Sequence, residues 1–305
     1  MVNNINDDVV VVIRSVGERT VGLCYEIVSQ KLNKENIFII EEVPFEAAVR
    51  KSFQIGILSG KKWLFVIDAD IIPRVSAFDE LYLASNSIEK KVMMFTGVVY
   101  DKLLMSYRRA GIKVYRCEHL KEAIDCVPEP GTKIRPEKHT LMTMLDKGFK
   151  IKQTSIVTGI HDFEQYYKDI YRTCFVHAVK QPHIISLIKT WQSNVDLDSD
   201  CRIAIKGALD GYLEPQKATI DKRIYVDLAL KAMHELGLEE KTSLNIKNST
   251  VYVDNILIKA GTYSSSRIHT LLIKQLHEKG IYEGLKYTFG SLVLRIGRKL
   301  TNYDS

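Results

Sequence analysis

Asp68 and Asp70, in the run Trp63-Leu64-Phe65-Val66-Ile67-Asp68-Ala69-Asp70, are the residues whose type and spacing best suit chemistry. The apolar residues before them do not alternate with polar ones, which is the pattern of a central strand covered on both faces. Pro73 follows and ends the ladder for want of an N–H. Carboxylates at the carboxyl end of such a strand stand where open α/β sheets bind ligands. Desolvating two of them is costly unless a cation compensates. Mn²⁺ or Mg²⁺, which combine protein carboxylates with substrate phosphates, would do so. The same tripeptide also occurs as a solvated turn after a strand, so the rest of the chain has to decide.

His161 is the next candidate. It lies at the end of a β-like stretch, in Gly159-Ile160-His161-Asp162. A neutral imidazole there would complete a metal shell with Asp68 and Asp70. Asp162 would instead orient the ring. The alternative is a structural histidine. Arg14, Glu18, Arg19, Arg50 and Lys51 fall near strand ends or on the helix before the Asp-x-Asp strand. A nucleoside diphosphate needs cations in such places, although each also reads as a surface charge. Arg14 stands out because it directly follows a buried strand. Asp196-Leu197-Asp198-Ser199-Asp200 lacks the glycine and closing glutamate of a calcium loop.

The elements that must position these groups follow from periodicity. Residues 9–13 are five consecutive β-branched residues, a buried strand. An amphipathic helix over 20–32, a strand over 37–40, a helix over 45–58 closed by Gly60, and the strand ending at Asp68 complete a β-α-β-α-β order. That order predicts a doubly wound α/β sheet with right-handed crossovers. A helix over 77–89, strands over 92–100 and 113–116, and a short helix over 120–126 come next. Arg135-Pro136-Glu137 opens a further helix, with Pro136 in its first turn and Glu137 at the positive end of its dipole. A strand over 154–160 and a helix over 166–179 follow. Beyond 182 helices dominate, over 184–191, 200–208, 223–236 and 267–279, with a short strand at 252–258. The reading is therefore a catalytic domain over 1–180 and a mainly helical region over 181–305.

Bulk properties narrow the class. The chain has 305 residues, 46% hydrophobic and 26% charged, enough for one large soluble domain with an appendage. Its five scattered cysteines form no Cys-x-x-Cys pair, which points to reduced thiols in a cytosolic compartment and against a zinc site. The polar start is not a signal peptide, and no apolar run reaches spanning length. A net charge of +6 permits an anionic partner without demanding nucleic acid. The tail 281–300 places Ile281, Leu285, Leu292, Ile296 and Leu300 near helical spacing, with Lys286, Arg295, Arg298 and Lys299 between them. Two readings stay open: a helix on an anionic membrane surface, or one packed on the domain.

Taken together, residues 9–180 resemble the GT-A-type glycosyltransferases, most closely the bacterial family-2-like group. The resemblance is carried by Val9-Val10-Val11-Val12-Ile13-Arg14-Ser15, the helix ending in Ser59-Gly60, Phe65-Val66-Ile67-Asp68-Ala69-Asp70, Glu137 ahead of a helix closed by Gly148-Phe149-Lys150, and His161. It implies a GT-A sheet and Mn²⁺ or Mg²⁺ on Asp68, Asp70 and His161. It also implies a nucleotide-diphosphate sugar donor, with UDP-sugars favoured, held by Arg14, Glu18, Arg50, Lys51 and Asp68. Glu137 would be the catalytic base of a transfer to an acceptor hydroxyl, with inversion favoured. Lys138 stands where the family's usual Glu-Asp pair has its Asp. The acceptor would be a glycan or lipid-linked glycan in bacterial surface synthesis, and the protein cytoplasmic, reaching the inner face of the membrane through 281–300. Competing readings are a haloacid-dehalogenase-type phosphatase, with Asp68 as nucleophile and Asp70 as acid/base, and a non-catalytic nucleotide-sugar or carbohydrate-binding module.

Overall fold

The computed structural model describes residues 4–133, 135–180, 182–215 and 224–263. In chain order the elements are α1 (Ile5–Asp8), β1 (Val9–Arg14), α2 (Val21–Ser29), β2 (Ile37–Ile40), α3 (Phe45–Leu58), β3 (Trp63–Asp68), β4 (Ile71–Pro73), α4 (Ala77–Asn86), β5 (Val92–Asp101), β6 (Ser106–Arg108), β7 (Lys113–Arg116), α5 (Leu120–Asp125), α6 (Pro136–Asp146), β8 (Lys150–His161), α7 (Tyr167–Lys180), α8 (Ile188–Gln192), α9 (Ser199–Leu213), α10 (Tyr225–Leu236) and α11 (Ser249–Ala260). Met1–Gly261 is one compact unit.

The strands form one mixed sheet of order β2-β1-β3-β7-β5-β8-β4, with β6 paired to β5. β1 is parallel to both β2 and β3, while β7 runs antiparallel to β3 and β5. β1 shows why the unbroken apolar run is needed. Val9, Val11 and Ile13 pack with Leu23, Cys24, Ile27 and Val28 of α2. Val10 and Val12 pack with Ala48, Val49 and Phe53 of α3 on the other face. Because strand side chains alternate, both faces of β1 must be apolar. The chain thus winds to one side of β1 through α2 and to the other through α3, as a doubly wound sheet requires.

A third core lies among α7, α8, α9 and α10, where Tyr171, Phe175, Trp191, Ala204, Ala208 and Tyr225 are buried together. α7 and α9 approach so closely that a Cβ on Gly207 would lie 2.4 Å from the Tyr171 carbonyl oxygen, and one on Gly211 would lie 2.3 Å from that of Phe175. Larger residues there would force the helices apart.

The sequence reading needs local corrections. Residues 252–258, expected as a strand, lie within α11. Asn248 caps that helix by accepting from the Val251 N–H at 3.1 Å. The β-branched and aromatic residues there are spaced so that Val253, Ile256 and Leu257 face the sheet core on one side of a helix. The helix expected over 184–191 divides into a 3₁₀ turn at Pro182–Leu187 and the short α8. Two short strands, β4 and β6, were not anticipated. The helix expected over 267–279 and the basic tail 281–300 lie outside the described residues. No helix among the described residues is long and apolar enough to cross a membrane. All five cysteines are free thiols.

Candidate functional site

The two aspartates of Asp68-Ala69-Asp70 have different surroundings. Asp68 ends β3, and the parallel register sets Arg14 directly beside it. Arg14 Nε donates to Asp68 Oδ1 at 2.7 Å, and its Nη1 donates to Glu137 Oε1 at 3.0 Å. β7 brings Lys113 to the same point by antiparallel pairing with β3. Lys113 Nζ lies 3.1 Å from Asp68 Oδ2 and also donates to Glu137 Oε2. Tyr115 Oη donates to Glu137 Oε1 at 2.8 Å. Two cations, two carboxylates and a phenol thus close on themselves. Burial alone would raise both carboxyl pKa values, but Arg14 and Lys113 hold Asp68 and Glu137 below the ordinary range. Burial alone would lower Arg14, yet Asp68 and Glu137 hold its pKa above the ordinary value. Phe45 adds a cation–π face, its ring centroid 4.8 Å from Arg14 Cζ.

Asp70 belongs to a second cluster. It immediately precedes β4, whose antiparallel register with β8 sets Ile71 opposite His161. The Asp162 N–H donates to the Asp70 carbonyl at 3.1 Å, tying the two ends together. Ligand atoms of Asp70, His161 and Asp162 all lie within 4.8 Å of one another. Asp101, at the end of β5, adds a carboxylate 3.1 Å from His161 Nδ1. Arg108 Nε lies 2.6 Å from Asp101 Oδ2, and its Nη2 is 2.8 Å from His161 Nε2. Three carboxylates therefore face one guanidinium and one imidazole.

The charge imbalance shows in the titration behaviour. Burial pushes the Asp162 carboxyl up. Burial opposes the charge of His161, but Asp162 and Asp70 lift its pKa well above the ordinary histidine value against Arg108. Asp101 is held at about 2, because its hydrogen bond to His161 and the charges of His161 and Arg108 overcome the burial penalty. Asp70 Oδ1 is buried and accepts no hydrogen bond, and Asp162 Oδ2 and Asp101 Oδ2 lie 2.9 and 3.1 Å from the same His161 Nδ1, which has one proton to give. Buried carboxylates with fewer donors than oxygens, beside an imidazole, fit a hard divalent cation such as Mn²⁺ or Mg²⁺.

A cleft of about 640 Å³ opens at the carboxyl ends of β1 and β3. Of the expected site residues, Arg14, Glu18, Asp68 and Asp70 line it. Glu18 does so while shaping the turn after β1, accepting from Ser15 Oγ at 2.9 Å and the Val16 N–H at 2.7 Å. Arg50 and Lys51 do not line the cleft. Arg50 donates to the carbonyls of Ile124 and Val127 at 3.1 and 2.6 Å, and Lys51 is exposed on α3. Glu137 sits behind Arg14, and His161 lies beneath Asp70 in the second cluster.

The structure adds residues that sequence reasoning passed over. Lys168 and Arg172, four apart on α7, line the cleft together with Asp169. Their i, i+4 spacing shows that they share a helix face. Nothing in the sequence tells that this face meets the end of β1. Lys113, Asp101 and Arg108 are also new. Each follows from which strand neighbours which, and not from local pattern.

No protein-family model and no curated protein sequence matches the chain. Solved structures are similar at low identity. One is a mannosyltransferase from Pyrobaculum calidifontis in complex with GDP-Man and Mn²⁺, at 11% identity and TM-score 0.40, covering 86% of this chain and 83% of that one. A cytidylyltransferase from Leptospira borgpetersenii gives 10% identity and TM-score 0.37, covering 63% and 97%. A glycosyltransferase involved in glycosylation of the major capsid of PBCV-1 gives 12% identity and TM-score 0.33, covering 48% and 82%.

Proposed function

We propose that this chain is a divalent-metal-dependent glycosyltransferase, moving a sugar from a nucleotide-diphosphate sugar to an acceptor hydroxyl. One observation carries the reading: Asp70, His161 and Asp162 gather ligand atoms within 4.8 Å, and Asp70 lines a cleft that also presents Lys168 and Arg172. Carboxylates that need a cation, facing cations that need an anion, suit a diphosphate between them.

Asp70, His161 and Asp162 would hold Mn²⁺ or Mg²⁺. Bound there, the metal would supply Lewis-acid stabilisation of the leaving nucleoside diphosphate. Lys168 and Arg172 would add charge on the α7 side, while Arg14 stays in its network with Asp68 and Glu137. The resemblance assigns Glu137 the acceptor's proton. Its two oxygens are already bonded by Arg14, Lys113 and Tyr115, and its pKa is held low. Those are the properties of a fixed anion, whereas a general base works best with a pKa near the operating pH. We therefore assign Glu137 the positioning of Arg14 and Lys113. Asp68 shares that task while lining the cleft, and a phosphatase nucleophile would need the oxygens that it gives to Arg14 and Lys113. Inversion and a glycan or lipid-linked acceptor remain what the sequence resemblance implies.

The test is a panel of sugar nucleotides, UDP-sugars first, with Mn²⁺ or Mg²⁺, scored by thermal stabilisation and slow donor hydrolysis beside Asp70→Ala. Stabilisation and hydrolysis that need both metal and Asp70 support the reading. A wild-type protein that no sugar nucleotide stabilises removes it.

A further inference from the structure

The loop that carries Asp162 holds two non-glycine residues in the left-handed region within three positions, Asp162 at φ 59° and Glu164 at φ 58°. Such conformations persist only where surrounding contacts over-determine them. The reversal at Asp162 turns its carboxylate back towards His161 and Asp70. What holds Glu164 comes from two distant parts of the chain. Arg19, after β1, donates from Nη1 to the Glu164 carbonyl at 3.2 Å and to Glu164 Oε2 at 2.8 Å. Tyr252, in the first turn of α11, donates its hydroxyl to Glu164 Oε1 at 2.8 Å. Gln165 Nε2 then donates to Thr20 Oγ1 at 2.9 Å.

The other end of α11 is fastened to the far flank of the same cluster. The Gly261 carbonyl accepts from the Tyr107 hydroxyl at 2.7 Å. Tyr107 precedes Arg108, which pairs with Asp101 and contacts His161. Between the two ends Val253 is buried in the sheet core, with Ile256 and Leu257 packed against it. α11 therefore spans the cluster, with a tyrosine hydroxyl bond at each end.

We infer that α11 is a brace for the metal cluster, in which Tyr252 and Glu164 are positioning residues that hold Asp162 in its left-handed conformation. The inference rests on the proposed reading of Asp70, His161 and Asp162 as a divalent-cation site. Loss of the Tyr252–Glu164 bond leaves Arg19 alone on Glu164, and loss of the whole Glu164 side chain lets the loop relax towards negative φ and carry the Asp162 carboxylate off the other two ligands.

The experiment measures Mn²⁺ binding by electron paramagnetic resonance on the full chain, with circular dichroism to confirm folding. Tyr252→Phe removes only the hydroxyl and is expected to raise the Mn²⁺ Kd by up to about tenfold, the lower end of what loss of a ligand's own partner does, because Tyr252 acts one bond further out through Glu164. Glu164→Ala is expected to weaken binding as much or more. Glu164→Gly is expected to bind more tightly than Glu164→Ala, because glycine adopts positive φ without the clamp. That rescue would not arise if the clamp only added stability. Wild-type Mn²⁺ affinity in both Tyr252→Phe and Glu164→Ala would overturn the brace, as would equal loss in the Ala and Gly variants. A wild-type protein that binds no Mn²⁺ would instead overturn the metal-site reading itself.

Discussion

Two charge clusters stand side by side at the ends of β1, β3, β4 and β8, supplied by aspartates one residue apart, and they obey opposite rules. Around Asp68 the charges cancel: Arg14 and Lys113 face Asp68 and Glu137, and Tyr115 completes the bonding of Glu137. Around Asp70 they do not: Asp70, Asp101 and Asp162 face Arg108 and His161. A closed network has nothing to gain from a further ion and loses when any member is removed. An unbalanced cluster gains from an added cation. The tripeptide thus joins a structural half to a candidate ligand-binding half.

Removing Glu137 should produce the largest loss of stability. Glu137→Ala leaves the buried Arg14 and the half-buried Lys113 with one carboxylate between them, and breaking a buried pair costs about 3–5 kcal/mol. Urea unfolding should show this loss while Mn²⁺ still stabilises the variant. A neutral outcome would mean that the network is not closed. Asp70→Asn should shift the balance. Metal-free stability should fall by less than in Glu137→Ala, the loss being that of the His161 charge that favours the Asp70 carboxylate, and Mn²⁺ affinity should drop by about a hundredfold or more, beyond the range for outer partners. Calorimetric titration reads both, and a large loss of metal-free stability would erase the contrast.

Acid offers a subtler separation. Asp68 and Glu137 are held below their unfolded pKa values. Their contribution is complete above the unfolded carboxylate value of about 4 and is lost as pH falls through the lowered folded values. Wild-type stability should therefore decline steeply below about pH 4. Glu137→Gln, less stable at neutral pH, should decline less steeply over that window, and parallel curves would sink the assignment. The smallest expected effect is on the opposite wall of the cleft. Arg172→Ala should weaken nucleoside diphosphate binding by about tenfold, the scale of one charged hydrogen bond, without changing Mn²⁺ affinity.

Much of this was legible beforehand. Residues 9–13 and 63–67 announce buried strands, and Pro136 with Glu137 announces a helix start, because these signals are local. Asp68, Asp70 and His161 were expected to share one metal; the structure brings Asp70 and His161 together with Asp162 and leaves Asp68 with Arg14 and Lys113. Arg50 had equal standing by position in the sequence, yet it turns to the carbonyls of Ile124 and Val127. Its helix face, not its place in the chain, decided that.

The sequence by itself determined where the strands end, and so which carboxylates reach the carboxyl edge of the sheet. It misled at residues 252–258, where the β-branched and aromatic run argued for a strand and the structure forms α11. Only the tertiary structure decided what each carboxylate would face. Lys113 reaches Asp68 because β7 inserts antiparallel beside β3, and Asp162 reaches Asp70 because β8 pairs with β4. Tyr252 reaches Glu164 from a helix 88 residues further along. Pairings at such separations are settled by which apolar faces can be buried together, and no local pattern carries that information.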